Sequence, residues 1–244
     1  MSPLRTLAFG DLSVWGASWS PGSGDASLAA LGSGPDVTIL PDPLLSDGGA
    51  GDEWRLESED AALLAAPVGE VVDVQTTQDG IEGWDQLCHV TGRFADHDVD
   101  CLGLRSSWAD TIDLGKFESI RAVFAWFDPD EGLALTAFRP RKAKAHDGDL
   151  LAAAVIAADG SAPVEDPRLS TTYAVDGWPA RAGLELWLAA AEDSEEQYPR
   201  RASGAATGAR AQALADGLEV RAEPFRWRSR AREGAGMYLL AIRR

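Results

Sequence analysis

The residues whose types could do chemistry gather between positions 84 and 126. They are two carboxylates, Asp85 and Asp110, two arginines inside apolar strand patterns, Arg105 and Arg121, a strand histidine, His89, and the aromatic residues Trp84, Trp108, Phe124 and Trp126. A carboxylic acid in apolar surroundings holds its proton toward neutral pH and can donate it there. An arginine buried in a strand needs acceptors, either from the protein or from a ligand carbonyl or carboxylate. Tryptophan faces fill a core, or they line a pocket and stabilise developing positive charge. These types together suit acid chemistry on an apolar molecule. Asp110 is the first candidate acid and Asp85 the second. Arg105 and Arg121 would position the ligand, and the aromatic residues and His89 would line its site.

Residues 87–110 locate Arg105. They read as two strands joined by a polar turn, and Ala95-Asp96-His97-Asp98 is the natural loop. Phe94 then opposes Val99, Arg93 opposes Asp100, and Cys88 opposes Arg105. One face carries Cys88, Val90, Gly92, Phe94, Val99, Cys101, Gly103 and Arg105, small and apolar apart from the arginine, so it should point inward. Gly92 and Gly103 on that face mark either close backbone approach or a cavity wall. Arg105 would meet Asp110, Asp85 or Glu118, or a ligand. The two cysteines fall four rungs apart, too far for a disulfide, so free thiols and a reducing compartment are expected.

Several chemistries lack their signatures. There is no CxxC or HxxxH pattern for zinc, no GxSxG, no GxGxxG and no P-loop, so no metal and no cofactor is expected. The net charge of −17 argues against nucleic acid and anionic membrane as partners. The one basic run, Arg139–Lys144, carries Pro140 and reads as an edge strand. The N-terminus has no apolar run of a signal peptide, which gives a cytoplasmic expectation. Oligomeric state stays open.

The elements holding these residues are strands. Helical periodicity is nearly absent, while period-2 runs recur between turn signals such as Asp147-Gly148, Asp159-Gly160 and Asp128–Gly132. Fourteen candidate strands follow. They leave Pro21–Pro35 and Pro41–Asp52 as loops and 191–201 as a charged connection. Fourteen exceeds the usual eight or so of a small barrel. An all-β fold of two antiparallel units is therefore expected, at 1–112 and 113–244. The strand Phe117–Phe127, apolar on both faces, belongs at their join.

Gly103-Leu104-Arg105-Ser106-Ser107-Trp108, ending an all-β hairpin, resembles the Gly-x-Arg-x-Ser-Trp motif of lipocalin-like proteins related to carotenoid hydratase and to pericyclic cyclases. Arg105, Ser107 and Trp108 match. Ser106 stands where relatives often carry histidine, and Ala109 where they carry glycine. The resemblance covers about residues 80–244. It implies two lipocalin-like β-barrel units around a hydrophobic cavity. It also implies cofactor-independent cyclisation, isomerisation or hydration of a terpenoid or polyketide-like molecule. In the hydratases an acid protonates an alkene and water captures the cation. The alternative is a non-catalytic carrier of a hydrophobic ligand, with Arg105 satisfied by protein rather than facing a cavity.

Overall fold

The computed structural model describes all residues except 1–2, 12, 22–27, 34–35, 41–42, 47–48, 79, 110–111, 129–130, 144–147, 158–159, 190–197 and 216. Its described elements are strands, apart from one short 3-10 turn at Leu114–Lys116. The strands form two antiparallel sheets, one before that turn and one after it.

The first sheet holds β1 (Leu4–Gly10), β2 (Val14–Ser20), β3 (Leu28–Ser33), β4 (Asp36–Ile39), β5 (Leu44–Ser46), β6 (Trp54–Ser58), β7 (Ala61–Pro67), β8 (Val72–Gln75), β9 (Glu82–Phe94) and β10 (His97–Trp108). Its order is β4-β3-β2-β1-β10-β9-β7-β6-β5, with β8 also on β9. It curls into a half-barrel. Side chains from distant strands, including Leu7, Leu31, Trp54, Leu56 and Leu63, meet in one cluster on its concave face.

The second sheet closes. It holds β11 (Phe117–Asp128), β12 (Glu131–Pro140), β13 (Leu150–Ala157), β14 (Ala162–Tyr173), β15 (Pro179–Leu188), β16 (Arg200–Ala206), β17 (Ala211–Ala215), β18 (Leu218–Ser229) and β19 (Arg232–Arg243). Pairing of β16 with β18 joins eight of these strands in a ring and leaves β17 as a flap on β18. Its interior is filled by residues such as Val123, Leu135, Leu184, Phe225, Trp227 and Tyr238.

A third cluster lies between the two units. Trp15, Trp19, Leu87, Leu104 and Trp108 on the convex face of the half-barrel pack against Ile120, Phe124, Trp126, Ala134 and Phe138 on the outside of the barrel. β11 therefore has apolar residues on both faces because it is buried on both, as its sequence pattern requires. Trp126 pins the units together, donating from Nε1 to the carbonyl of Gly10 at 2.9 Å.

Several sequence expectations need correction. β3 runs through the segment expected as a loop at Pro21–Pro35, and β1, β7 and the short β5 are additional strands. The Pro140 strand is central, between β11 and β13. Pro140 is its last residue, so no ladder bond is lost in its interior. The β9–β10 loop is the two residues Ala95-Asp96. Phe94 consequently opposes His97, Arg93 opposes Asp98, and Arg105 opposes Gln86. The slip is two residues, so each residue keeps its face. It does move Cys101 to within two residues of the position facing Cys88. Both thiols are free, and burial pushes each up to about 12. The two glycines answer to backbone, not to a cavity. Gly92 has φ +137°, and a Cβ there would strike the Ala62 carbonyl; one at Gly103 would strike the Ala8 carbonyl.

Candidate functional site

The strands place the candidate residues in three separate environments. Arg105 lies on the concave face of the half-barrel and is fully buried. Its Nε and Nη2 donate to Gln86 Oε1, the former at 3.1 Å, and its Nη1 donates to the Asp52 carbonyl. Trp54 and Trp84 flank the guanidinium at 5.2 and 5.5 Å. Of the expected carboxylates, neither Asp85 nor Glu118 bonds to it. Arg105 is held by neutral acceptors and ring faces, the pattern of an internal strut. Arg121 points into the barrel, where Asp149 pairs with it and with Arg139. His89 is 44% exposed and shares a 2.6 Å contact with Asp100. Asp110 falls outside the described residues.

Asp85 lies on the opposite face from Arg105, between the two units. Successive strand pairings set it in one transverse rung: Leu28, Trp19, Thr6, Ser106, Asp85, Val72. The four polar members of this rung are adjacent, and each is at most 1% exposed. The indole N–H of Trp19, both hydroxyls and both carboxylate oxygens lack a hydrogen bond of ordinary geometry within the described protein. Native interiors leave few such groups unpaired, and a run of four neighbours is a large departure. Burial pushes the Asp85 carboxyl up from 3.8 to about 7, and the nearby Ser106 hydroxyl offsets only part of that. No cation contributes to the shift. The group is a neutral carboxylic acid up to about that pH.

The barrel supplies the other wall. Gly132 on β12 approaches Leu87 and Leu104, and Phe138 packs edge-on against Trp108 with ring centroids 5.0 Å apart. Between these two contacts, Ala134 and Thr136 share the face of β12 that turns toward the half-barrel. Thr136 Oγ1 is itself buried and unpaired. Phe124 and Trp126 belong to the same interface.

One end of this interface opens. A cavity of about 480 Å³ is lined by Ile81, Glu82, Ala109, Ile112, Lys116, Phe117 and Leu150, among others. Phe117 packs on Phe138 at 5.3 Å, and Phe138 on Trp108. That aromatic wall stands between the cavity and Asp85. The cavity is within the size range of small-molecule sites. Asp85, Trp108, Phe124 and Trp126 are thus brought to one interface, and Arg105, Trp84 and Arg121 are not. Thr6, Trp19, Ser106 and Thr136 were not singled out as site residues by sequence. The one signal of the three hydroxyl residues is their place inside otherwise apolar strands, and Trp19 shows only as an aromatic ring in such a strand.

No family model matches the chain, and no curated protein matches it. Solved structures do. Kievitone hydratase from Nectria haematococca superposes with a TM-score of 0.57 at 8% identity, over 99% of this chain and 89% of that one. A putative AttH from Nitrosomonas europaea gives 0.58 at 11% identity, over 98% and 92%. CghA solved with Sch210972 gives 0.57 at 10% identity, over 99% and 88%. At these identities the likeness establishes architecture. The chain shares with these proteins an all-β architecture of two antiparallel units, one curled half-barrel and one closed barrel.

Proposed function

We propose that this protein binds a hydrophobic small molecule between its two units and isomerises, cyclises or hydrates it without a cofactor, with Asp85 as the acid. The observation that carries this reading is the buried rung of polar groups, in which Asp85 has only the Ser106 hydroxyl beside it and its carboxyl stays protonated toward pH 7. Such a rung is costly to a fold unless something else uses it.

The chemistry is that of a reversible proton. The Asp85 carboxylic acid gives its proton to one carbon of an alkene, and the adjacent carbon becomes cationic. The faces of Trp19 and Trp108 offset that charge. Loss of a proton from a neighbouring carbon to the Asp85 carboxylate gives an isomer. Attack by a second alkene, then the same loss, gives a ring. Attack by water gives an alcohol, with the water proton returning to Asp85. Each route restores the acid, so none needs an external reductant or oxidant. In this reading the buried Thr6, Ser106 and Thr136 hydroxyls hold the water or a ligand oxygen. The neighbouring folds include a hydratase by name, which is consistent with the third route.

The competing reading is a carrier, and the enclosed position of Arg105, satisfied by Gln86 and the Asp52 carbonyl, is what that reading expects. Native mass spectrometry of protein purified from its own host tests the binding claim. A retained lipophilic molecule is expected in the wild type and in Arg105→Met. It should be absent from Thr136→Phe, which plugs the interface, provided that variant keeps its far-ultraviolet circular dichroism. Retention by a folded Thr136→Phe would place the ligand elsewhere.

A further inference from the structure

The outer face of the barrel carries a groove of about 720 Å³, remote in chemistry from Asp85. It runs across β14, β15 and β16 to the end of the β18–β19 hairpin. Four arginines line it, Arg168, Arg201, Arg228 and Arg230, against the single carboxylate of Glu185. The lining is net positive in a chain whose net charge is −17. Concentrating guanidinium groups in a concave site raises their mutual repulsion and focuses field on an anion.

Three details show that the cluster is organised. Glu185 acts as a strut: its Oε1 accepts from Arg168 Nη1 at 3.2 Å and from Trp187 Nε1 at 3.0 Å, and its Oε2 accepts from Arg201 Nε at 3.0 Å. It spreads two guanidinium groups while taking only one N–H from each. Asp166 and Glu233 steady Arg168 and Arg228 in turn. Arg230 occupies the two-residue turn of the hairpin at φ +54°, a conformation glycine or asparagine adopts more cheaply. Among the described residues, no ion pair of Arg230 is found. The floor is Gly183 with the hydroxyls of Ser170 and Ser203. A Cβ at Gly183 would come within 2.7 Å of Ser170 Oγ, so a larger residue would crowd the floor.

We propose that this groove binds a small molecule bearing a phosphate or diphosphate group. Guanidinium forks match phosphoryl oxygens in pairs, and serine hydroxyls add neutral donors. The volume fits a small ligand. The site does not depend on the reaction assigned to Asp85.

Isothermal titration of the full chain with sodium pyrophosphate, and separately with inorganic phosphate, tests it. Saturable binding is expected, tighter for pyrophosphate and weakened by added salt. Arg201→Gln should lower affinity about tenfold or more. Arg230→Gly should do the same while relieving the turn, so lost binding cannot be blamed on lost folding. Asp85→Asn should bind as the wild type does. Absence of saturable binding at millimolar pyrophosphate overturns the proposal, as does unchanged affinity in Arg230→Gly. Binding that appears only when Glu192, Asp193, Glu195 and Glu196 are replaced by their amides would assign the groove to the chain's own acidic segment, and overturns it too.

Discussion

Replacing Asp85 by asparagine keeps the side-chain shape and removes its titration. The folded carboxyl is pushed from 3.8 to about 7, chiefly by burial. Between those values the folded chain holds a proton that the unfolded chain has released. Stability from this group therefore falls as pH rises, and the loss is complete above the folded pKa. About three pH units correspond to about 4 kcal/mol, an upper figure because a buried site relaxes on ionising. Asparagine carries no such penalty, though its amide is also unpaired there, which adds a cost independent of pH. The informative quantity is thus the pH dependence of the difference between variant and wild type. It should grow in favour of Asp85→Asn by about 2–3 kcal/mol from about pH 5 to about pH 8. Urea unfolding followed by tryptophan fluorescence across that range measures it. The general repulsion of the −17 charge is common to both proteins and cancels to first order. A difference that stays flat with pH would mean Asp85 ionises normally in the fold, and the argument from the unpaired rung would fail.

Other consequences follow from single contacts. Arg105→Met leaves Gln86 and the Asp52 carbonyl without their donor and should cost about 3 kcal/mol in urea unfolding, with ligand retention unchanged. Trp126→Phe removes the bond to Gly10 that joins the units and should lower stability by about 1–3 kcal/mol, read as a drop in melting temperature. Trp108→Ala takes away the wall between the open cavity and Asp85. It should cost about 3–5 kcal/mol and admit water, so that the pH dependence seen through Asp85 weakens toward that of an ordinary aspartate. Cys88, buried with a thiol pushed up to about 12, should react with a thiol reagent only after unfolding, as measured by the lag between mixing and colour development.

The β-rich class and the two-sided burial of β11 were legible in residue alternation, because period-2 patterning and turn dipeptides act locally. β7 was harder. Ala61-Ala62-Leu63-Leu64-Ala65-Ala66 has no alternation, and only pairing with β6 and β9 makes it a strand. The hairpin around Arg105 kept its faces despite a shifted loop, since a slip of two preserves side-chain direction. What residue order did not reveal was that both of its faces are covered. The face bearing His89, Arg93 and Asp100 is exposed toward the turn, yet its other end, at Asp85, Leu87, Leu104 and Ser106, disappears beneath the barrel. Long-range packing alone creates that cover, and with it the interface that holds Asp85. Arg105, the most conspicuous residue of the sequence, took the other face and neutral partners.

The proposal that stands or falls on Asp85 is delivery of its proton to a hydrophobic ligand held between the units. Its most direct test incubates wild type, Asp85→Asn and Asp85→Glu with a lipophilic extract of the host and follows loss and gain of species by mass spectrometry. The wild type should convert one component to an isomer, a cyclised isomer or a hydrate. Asp85→Asn should retain that component without converting it, and Asp85→Glu should recover part of the turnover. Conversion by Asp85→Asn at the wild-type rate would contradict the claim.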